Sequence, residues 1–296
     1  MFTRIDHVML CVADLNAAIE QFRKLGFNMH AGGAHPGRGT HNAVSFNQDD
    51  YIELLAIRDK AEYLAAAAQP GSSSGGLPDF IAAGCGLRYV VIQSDDLVAD
   101  VAAMRSRGVD VGDPIDGRRV TPSGGEIKWK SAALGPKNAL PLVFLQPLTP
   151  IEQRRQQVAG AGQHPNGVTG LDRTYIVTDQ LEASAALYAK VLGLPQPDVV
   201  KGTVIMSDMA VFQIGPNGLG VVRPYADGPA AEALKRRGPG PFQALYRTTS
   251  MGAAARWTQE HGLPPLPRGV RNNGEHAMLA TPEFACGAYI GFVGPE

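Results

Sequence analysis

"IDHVMLCVADLNAAIEQFRKLGF", residues 5–27, runs a β-prone segment into an amphipathic helix that stops on a glycine. Val8 to Val12 are unbroken apolar residues, as a buried strand requires. From there the period changes. Leu15, Ala18, Ile19, Phe22 and Leu25 form one stripe of a helix suited to packing on a sheet. Asp14 stands where an N-cap carboxylate accepts from the first free N–H groups. Gly26 ends the helix, because glycine adopts the left-handed stop without steric cost.

The same unit returns three times, as "LRYVVIQSDDLVADVAAMRSRGV" (87–109), "LDRTYIVTDQLEASAALYAKVLGL" (171–194) and "FQALYRTTSMGAAARWTQEHGL" (242–263). The helices start near Leu15, Leu97, Leu181 and Met251, and Gly26, Gly108, Gly193 and Gly262 close them 11 or 12 residues later. After each helix come short β-prone runs divided by Gly, Pro, Asn and Asp. These are 27–31, 42–47 and 50–57 in the first unit, and 109–112, 125–134 and 140–147 in the second. The third has 198–206, 209–214 and 218–224, and the fourth ends on "GAYIGFVG". The repeat is therefore β-α-β-β-β, and the fold class is α+β. Two inserts break the regularity. Residues 58–84 hold "EYLAAAA", a short helix, and then the flexible "QPGSSSGG". Residues 149–168, "TPIEQRRQQVAGAGQHPNGV", read as an interdomain linker. Pairing the units predicts one domain over 1–148 and a second over 169–296.

Composition narrows the function. Of 296 residues 44% are hydrophobic and 19% charged, with a net charge of −1, values of a globular chain with a full core. Nothing electrostatic invites nucleic acid or an anionic membrane. Arg154-Arg155 and Lys235-Arg236-Arg237 read as solvated faces. Cys11, Cys85 and Cys286 lie in or beside apolar runs without metal spacing, as buried thiols of a reducing compartment. The first strand begins too early for a signal peptide and no apolar run reaches a bilayer's thickness. A cytoplasmic location is expected. The expected partner is a small molecule, and a homodimer with a second copy is left open.

Paired βαβββ units resemble the vicinal oxygen chelate (VOC) superfamily, which includes glyoxalase I, extradiol dioxygenases and bleomycin-resistance proteins. "RIDHVMLCVADL", "GGAHPGRGTHNAVSFNQDDYIELLAI" and "GRRVTPSGGEIKWK" resemble its glyoxalase-like members more closely, and "ACGAYIGFV" carries a fainter likeness in the second half. The resemblance implies four βαβββ modules in two tandem VOC-type domains, each curled around a cleft. In such clefts a metal is held from the first and last strands of each unit. His7 and Glu53 occupy those places in unit one, and alternation gives them a shared inward face, with His7, Met9 and Cys11 on one strand and Tyr51, Glu53 and Leu55 on the other. A buried carboxylate within "YIELL" calls for a cation, and imidazole plus carboxylate suits Zn²⁺, Mn²⁺ or Fe²⁺.

Unit two offers Arg88 or Tyr89 where a second histidine is expected, and Gln146 where a glutamate is usual. The resemblance thus implies metal ligation by His7, Glu53 and Gln146. The glycine-rich "GGAHPGRGTHN" supplies His35, His41 and Asn42 for substrate contact. His41 joins Glu53 as the acid/base candidate. Arg88, Arg118 and Arg119 are available to an anionic oxygen, and Tyr51, Tyr89 and Trp129 as aromatic walls. In the second half Arg173 falls where His7 stands and Gly291 where a ligand glutamate would stand. That half either covers the first or binds an anion through Arg173 and Arg223. Two functions follow: a divalent-metal enzyme of isomerase, lyase or dioxygenase type acting on vicinal oxygens, or a metal-free sequestration protein of the bleomycin-resistance type.

Overall fold

The computed structural model describes residues 1–69 and 75–296. The first half contains β1 (Phe2–Cys11), α1 (Leu15–Lys24), β2 (His30–His35), β3 (Thr40–Phe46) and β4 (Tyr51–Ile57). After α2 (Lys60–Ala67) and α3 (Leu77–Ala82) follow β5 (Gly86–Ser94), α4 (Leu97–Ser106), β6 (Ile115–Val120), β7 (Glu126–Ala133) and β8 (Leu142–Pro147). Of the loop expected at 69–76, residues 70–74 lie outside the described residues. Helix α5 (Ile151–Gln156) leads to β9 (Val168–Val177), α6 (Leu181–Leu192), β10 (Val199–Gly202), β11 (Ser207–Ile214) and β12 (Asn217–Pro224). Then come α7 (Pro229–Arg237), β13 (Gly240–Thr248), α8 (Met251–Glu260), β14 (Arg268–Val270), β15 (His276–Ala280) and β16 (Tyr289–Gly294).

Helices α1, α4, α6 and α8 begin at the residues the repeat predicts, and the four closing glycines all take positive φ, from 68° to 88°. Asp14, Asp96 and Ser250 accept from the N–H three residues on, at 3.0, 3.0 and 3.1 Å, each meeting a donor the helix cannot satisfy. The modules form two eight-stranded sheets, the two tandem domains that the resemblance implies. The first closes as β1-β4-β3-β2-β6-β7-β8-β5. Its seam is one pairing, Ala34 with Val120, and a Cβ at Gly33 would lie 1.9 Å from the Val120 carbonyl, so only glycine lets the barrel shut. The second runs β10-β11-β12-β9-β13-β16-β15-β14 and stays open between β10 and β14.

Helices α1, α4, α6 and α8 each bury one face in a core cluster shared with both sheets. Phe22 and Phe27 are buried at the end of α1, and the Phe27 ring meets Tyr246 at 5.1 Å and Phe292 at 5.9 Å, both from the second sheet. Each such ring contributes about 1.5–3 kcal/mol by leaving water. The cluster read as solvated at 235–237 is partly engaged. Arg237 lies over Phe80 at 4.1 Å and donates to the Cys85 carbonyl of the first half. Among the described residues no helix is long and apolar enough to cross a membrane.

The first strand of each half bulges at an aspartate. Ile5 pairs with Ile92 and His7 with Val91, leaving Asp6 as a bulge; Leu171 pairs with Tyr246 and Arg173 with Leu245, leaving Asp172. Both aspartates are buried, and each meets arginine: Arg154 lies 3.2 Å from Asp6, and Asp172 takes Arg247 and Arg271. The N–H ahead of each bulge bonds across the halves. Ile5 donates to Asn217 Oδ1 and Leu171 to Asp50 Oδ2, both at 3.0 Å. Asp50 and Asn217 are equivalents, each just ahead of the residue in register with His7 or Arg173. Asn217 also donates to the Leu171 carbonyl at 2.7 Å.

Asn217→Ala leaves two buried backbone groups unpaired and should cost about 2–4 kcal/mol in urea unfolding. Burial pushes the Asp50 carboxyl from 3.8 up to about 6, against the hydrogen bonds from Asn47 and Leu171. The folded chain therefore holds that proton more tightly than the unfolded one. The stabilisation is complete below the ordinary value and is lost as pH rises through about 6. Measured against Asp50→Asn, the wild type should lose up to about 3 kcal/mol across this interval; a constant difference would contradict the burial argument.

Candidate active site in the N-terminal barrel

Alternation on β1 and β4 turns His7, Met9, Cys11, Tyr51, Glu53 and Leu55 into one barrel cavity of about 160 Å³. His7 and Glu53 are 3% and 5% exposed, so neither charge is left to water. His7 Nε2 and Glu53 Oε2 stand 3.2 Å apart. Adjacent strand residues normally face opposite sides, but the bulge brings the Asp6 carboxylate to 2.7 Å from His7 Nδ1. The Tyr51 ring stacks on the imidazole at 4.2 Å and 20°, and Arg154 lies over the same ring at 5.7 Å. Asn42 Nδ2 donates to the other Glu53 oxygen at 2.5 Å. The result is a buried relay, Arg154–Asp6–His7–Glu53–Asn42.

The relay determines protonation. Burial works to neutralise His7, but the hydrogen bonds to Asp6 and Glu53 outweigh it and raise the imidazole pKa. Burial likewise works against the Glu53 charge, yet the bond from His7 wins and holds the carboxyl at about 2. Asp6 is held lower still, its burial outweighed by Arg154 and His7. The pair is thereby shifted toward an imidazolium facing a carboxylate.

Around the pair the cavity turns cationic and aromatic. His35 is pushed down to about 4 by burial and is neutral, with Nδ1 3.0 Å from Thr40 Oγ1 and its ring edge-on to Trp129. Arg119 is 7% exposed and donates to the Gly32 carbonyl. Arg38 also lines the cavity, and neither guanidinium meets a carboxylate among the described residues. Arg88 holds the Gly75 and Gly76 carbonyls at 2.6 and 3.0 Å and lies over Tyr89, another wall residue. Burial pushes the Cys11 thiol up to about 12, so it is no nucleophile.

Three expected site residues lie elsewhere. His41 is on β3 between Thr40 and Asn42, whose side chains line the cavity, so the period of two turns it to the outer face. It does not reach the Glu53 carboxylate as an acid/base partner. Gln146 is also displaced. It accepts from Leu97 N–H at 3.1 Å and donates to the Asp95 carbonyl at 3.0 Å, capping α4, while its neighbours Leu145 and Pro147 face the cavity. Arg118 pairs outside with Glu126 at 2.5 Å. Conversely, Asp6 and Arg38 belong to the site without being expected there, and Arg154, which reads as solvated from the sequence, is buried against Asp6. The repeat held a clue to the first, since "IDH" and "LDR" place an aspartate at the same step of both odd units.

Aligned helix starts place Tyr89 at the station of His7, and register places Val143 at that of Glu53. The four stations where the resemblance seats ligands are thus His7, Glu53, Tyr89 and Val143. Val143 has no donor atom, and among the described residues no three His, Cys, Asp or Glu side chains gather around one point. Zn²⁺, Mn²⁺ and Fe²⁺ sites draw three or four protein ligands. The side chains present do not fit a resident divalent metal.

A family profile described as a glyoxalase-like domain matches residues 5–192. No curated protein matches the chain. Among solved structures, a hypothetical protein from Staphylococcus aureus superposes over 99% of both chains with a TM-score of 0.70 at 14% identity. A triple mutant of 4-hydroxymandelate synthase from Streptomyces coelicolor aligns with 100% of this chain and 94% of its own, with a TM-score of 0.65 at 13% identity. A xylose isomerase-like TIM barrel/4-hydroxyphenylpyruvate dioxygenase fusion protein covers 99% of this chain with 48% of its own, with a TM-score of 0.61 at 11% identity. These likenesses are of fold.

Arg154→Met leaves the buried Asp6 without its guanidinium and with only His7 beside it among the described residues, and chemical denaturation should show about 3–5 kcal/mol lost. Gln146→Ala should cost only about 1 kcal/mol through the α4 cap and leave ligand affinity in the barrel unchanged.

Proposed function

This chain belongs to the glyoxalase-like family of the VOC superfamily, and from that membership we propose that its N-terminal barrel is an enzyme site for a small anionic molecule with neighbouring oxygens. The observation that carries the reading is the His7–Glu53 pair, 3.2 Å apart and braced by the buried Asp6–Arg154 ion pair. Burying such charges costs several kcal/mol, and apolar residues would pack the same barrel. The isomerase or lyase outcome suits the pair best. Arg38 and Arg119 receive the substrate's anionic oxygen. Glu53 takes the proton from the carbon beside a carbonyl while His7 Nε2 delivers its proton to the carbonyl oxygen, which yields an enol. Return of the protons at exchanged positions completes an isomerisation. Such general acid–base action contributes about 10²–10⁴ in rate. Trp129 and Tyr89 wall off bulk water. The metal-dependent and dioxygenase forms lack half of their ligand set.

Tyr51, Tyr89 and Trp129 favour a second reading, a metal-free binding protein, because all three line the cavity.

The test is exchange of solvent deuterium into the carbon next to the carbonyl, followed by proton NMR over a panel of 2-oxo acids and hydroxyaldehydes. The wild type should catalyse exchange that persists in chelator, and His7→Gln and Glu53→Gln should each lower it at least about 100-fold. Tight binding without exchange would return the sequestration reading. A stoichiometric cation in plasma mass spectrometry, lost in His7→Ala, would return the metal-dependent one.

A further inference from the structure

The second sheet encloses a cavity of its own, of about 200 Å³. Aligned helix starts place Arg173 and Gln243 at the stations of His7 and Tyr89. Gly220 and Gly291 stand opposite Tyr175 and Leu245, as Glu53 stands opposite Met9. The glycines make room. A Cβ at Gly220 would lie 2.6 Å from the Tyr175 ring, one at Gly291 2.4 Å from Leu245 Cδ1, and one at Gly218 2.7 Å from Arg173 Nε. The metal stations have become a bed for larger side chains.

Two polar side chains here have buried atoms without a hydrogen-bond partner among the described residues, although Arg173 also lies 5.9 Å from the Tyr175 ring centre. Gln243 is 2% exposed and lines the cavity, and its Oε1 accepts nothing among the described residues. Arg173 Nε is likewise buried and unbonded, and the guanidinium meets no carboxylate. Arg271, the other cation of the wall, is engaged by Asp172 at 3.2 Å and Glu275 at 2.7 Å. Arg223, the second expected anion ligand, stays outside with Glu182 and Asp208. Arg173 faces Leu245 and Gln243 faces Tyr175 across one strand pair, so the two are diagonal neighbours about 7 Å apart on one face. Unpaired buried polar groups are costly, and a ligand that pairs both removes the cost. The rest of the wall is apolar, with Val204, Ile205, Met209 and Leu279. Its rim lies between the unpaired edges β10 and β14, where Thr203 Oγ1 reaches the Val270 carbonyl at 3.2 Å.

We propose that this cavity binds a small 2-hydroxy carboxylate with an apolar side chain. Arg173 takes the carboxylate, Gln243 Oε1 accepts from the hydroxyl, and the tail lies against Met209, Val204 and Leu279. An ammonium in place of the hydroxyl would stand beside Arg173 with no free carboxylate, since Asp172 and Glu275 are already paired. The site is separate from the barrel and asks for no proton transfer.

Calorimetric titration of the full chain with 2-hydroxyisocaproate, its methyl ester and leucine tests this. The hydroxy acid should bind wild type and His7→Ala alike, and the ester and leucine at least about tenfold more weakly. Arg173→Met should lower affinity by at least about tenfold and Gln243→Leu several-fold, with unfolding midpoints confirming that both fold. A measurement that needs no variant is methyl NMR of methionine-labelled wild type, in which Met209 should shift. Shifts at Met9 instead, affinity lost in His7→Ala, affinity kept in Arg173→Met, or no saturation by roughly 10 mM acid would each overturn the proposal.

Discussion

A carboxylate with no exposure to solvent must be met by a cation, and Asp6 is met by Arg154 from a helix outside both sheets. Remove that pairing and the bulge in β1 has no reason to keep its carboxylate inside. Without the bulge, Asp6 would face away from His7, and the imidazole would lose the acceptor that fixes its orientation and charge. Glu53, Asn42 and the stacked Tyr51 are placed by that imidazole in turn. The site is a chain of dependence that begins in the segment between the two sheets.

The fold was legible because its signals are local and repeated. An N-cap, an apolar stripe and a closing glycine recur around four helices, and each obeys rules that act within a dozen residues. His7 and Glu53 were legible for a related reason, since a period of two decides which side chains share a face. What failed depended on a shift of one residue or on contacts distant in sequence. His41 is one step from Asn42 and falls outside. Gln146 is polar because a helix N-terminus needs capping, which no periodicity reveals. Arg154 sits in a run that resembles a solvated polar helix, and its burial follows only from how that helix docks under the barrel.

The two sheets show one scaffold supporting unlike chemistry. Both keep the bulged aspartate and its arginine, which are architectural. At the next residue one has His7 facing Glu53 and the other Arg173 over glycines. One sheet closes and the other stays open, so the first cavity is shut into a barrel and the second has a rim between strand edges. The two sheets share the bulged frame and differ in the side chains those bulges aim and in whether the seam closes.

The crossed bonds of Asp50 and Asn217 bear on how such a chain can change over time. Each half holds the acceptor that completes its sibling's opening strand, one position ahead of the aspartate that aims its working side chain. A half borrowed from another lineage would import a socket without the matching plug. The two halves are therefore obliged to be inherited as a single piece, however far apart their chemistries drift.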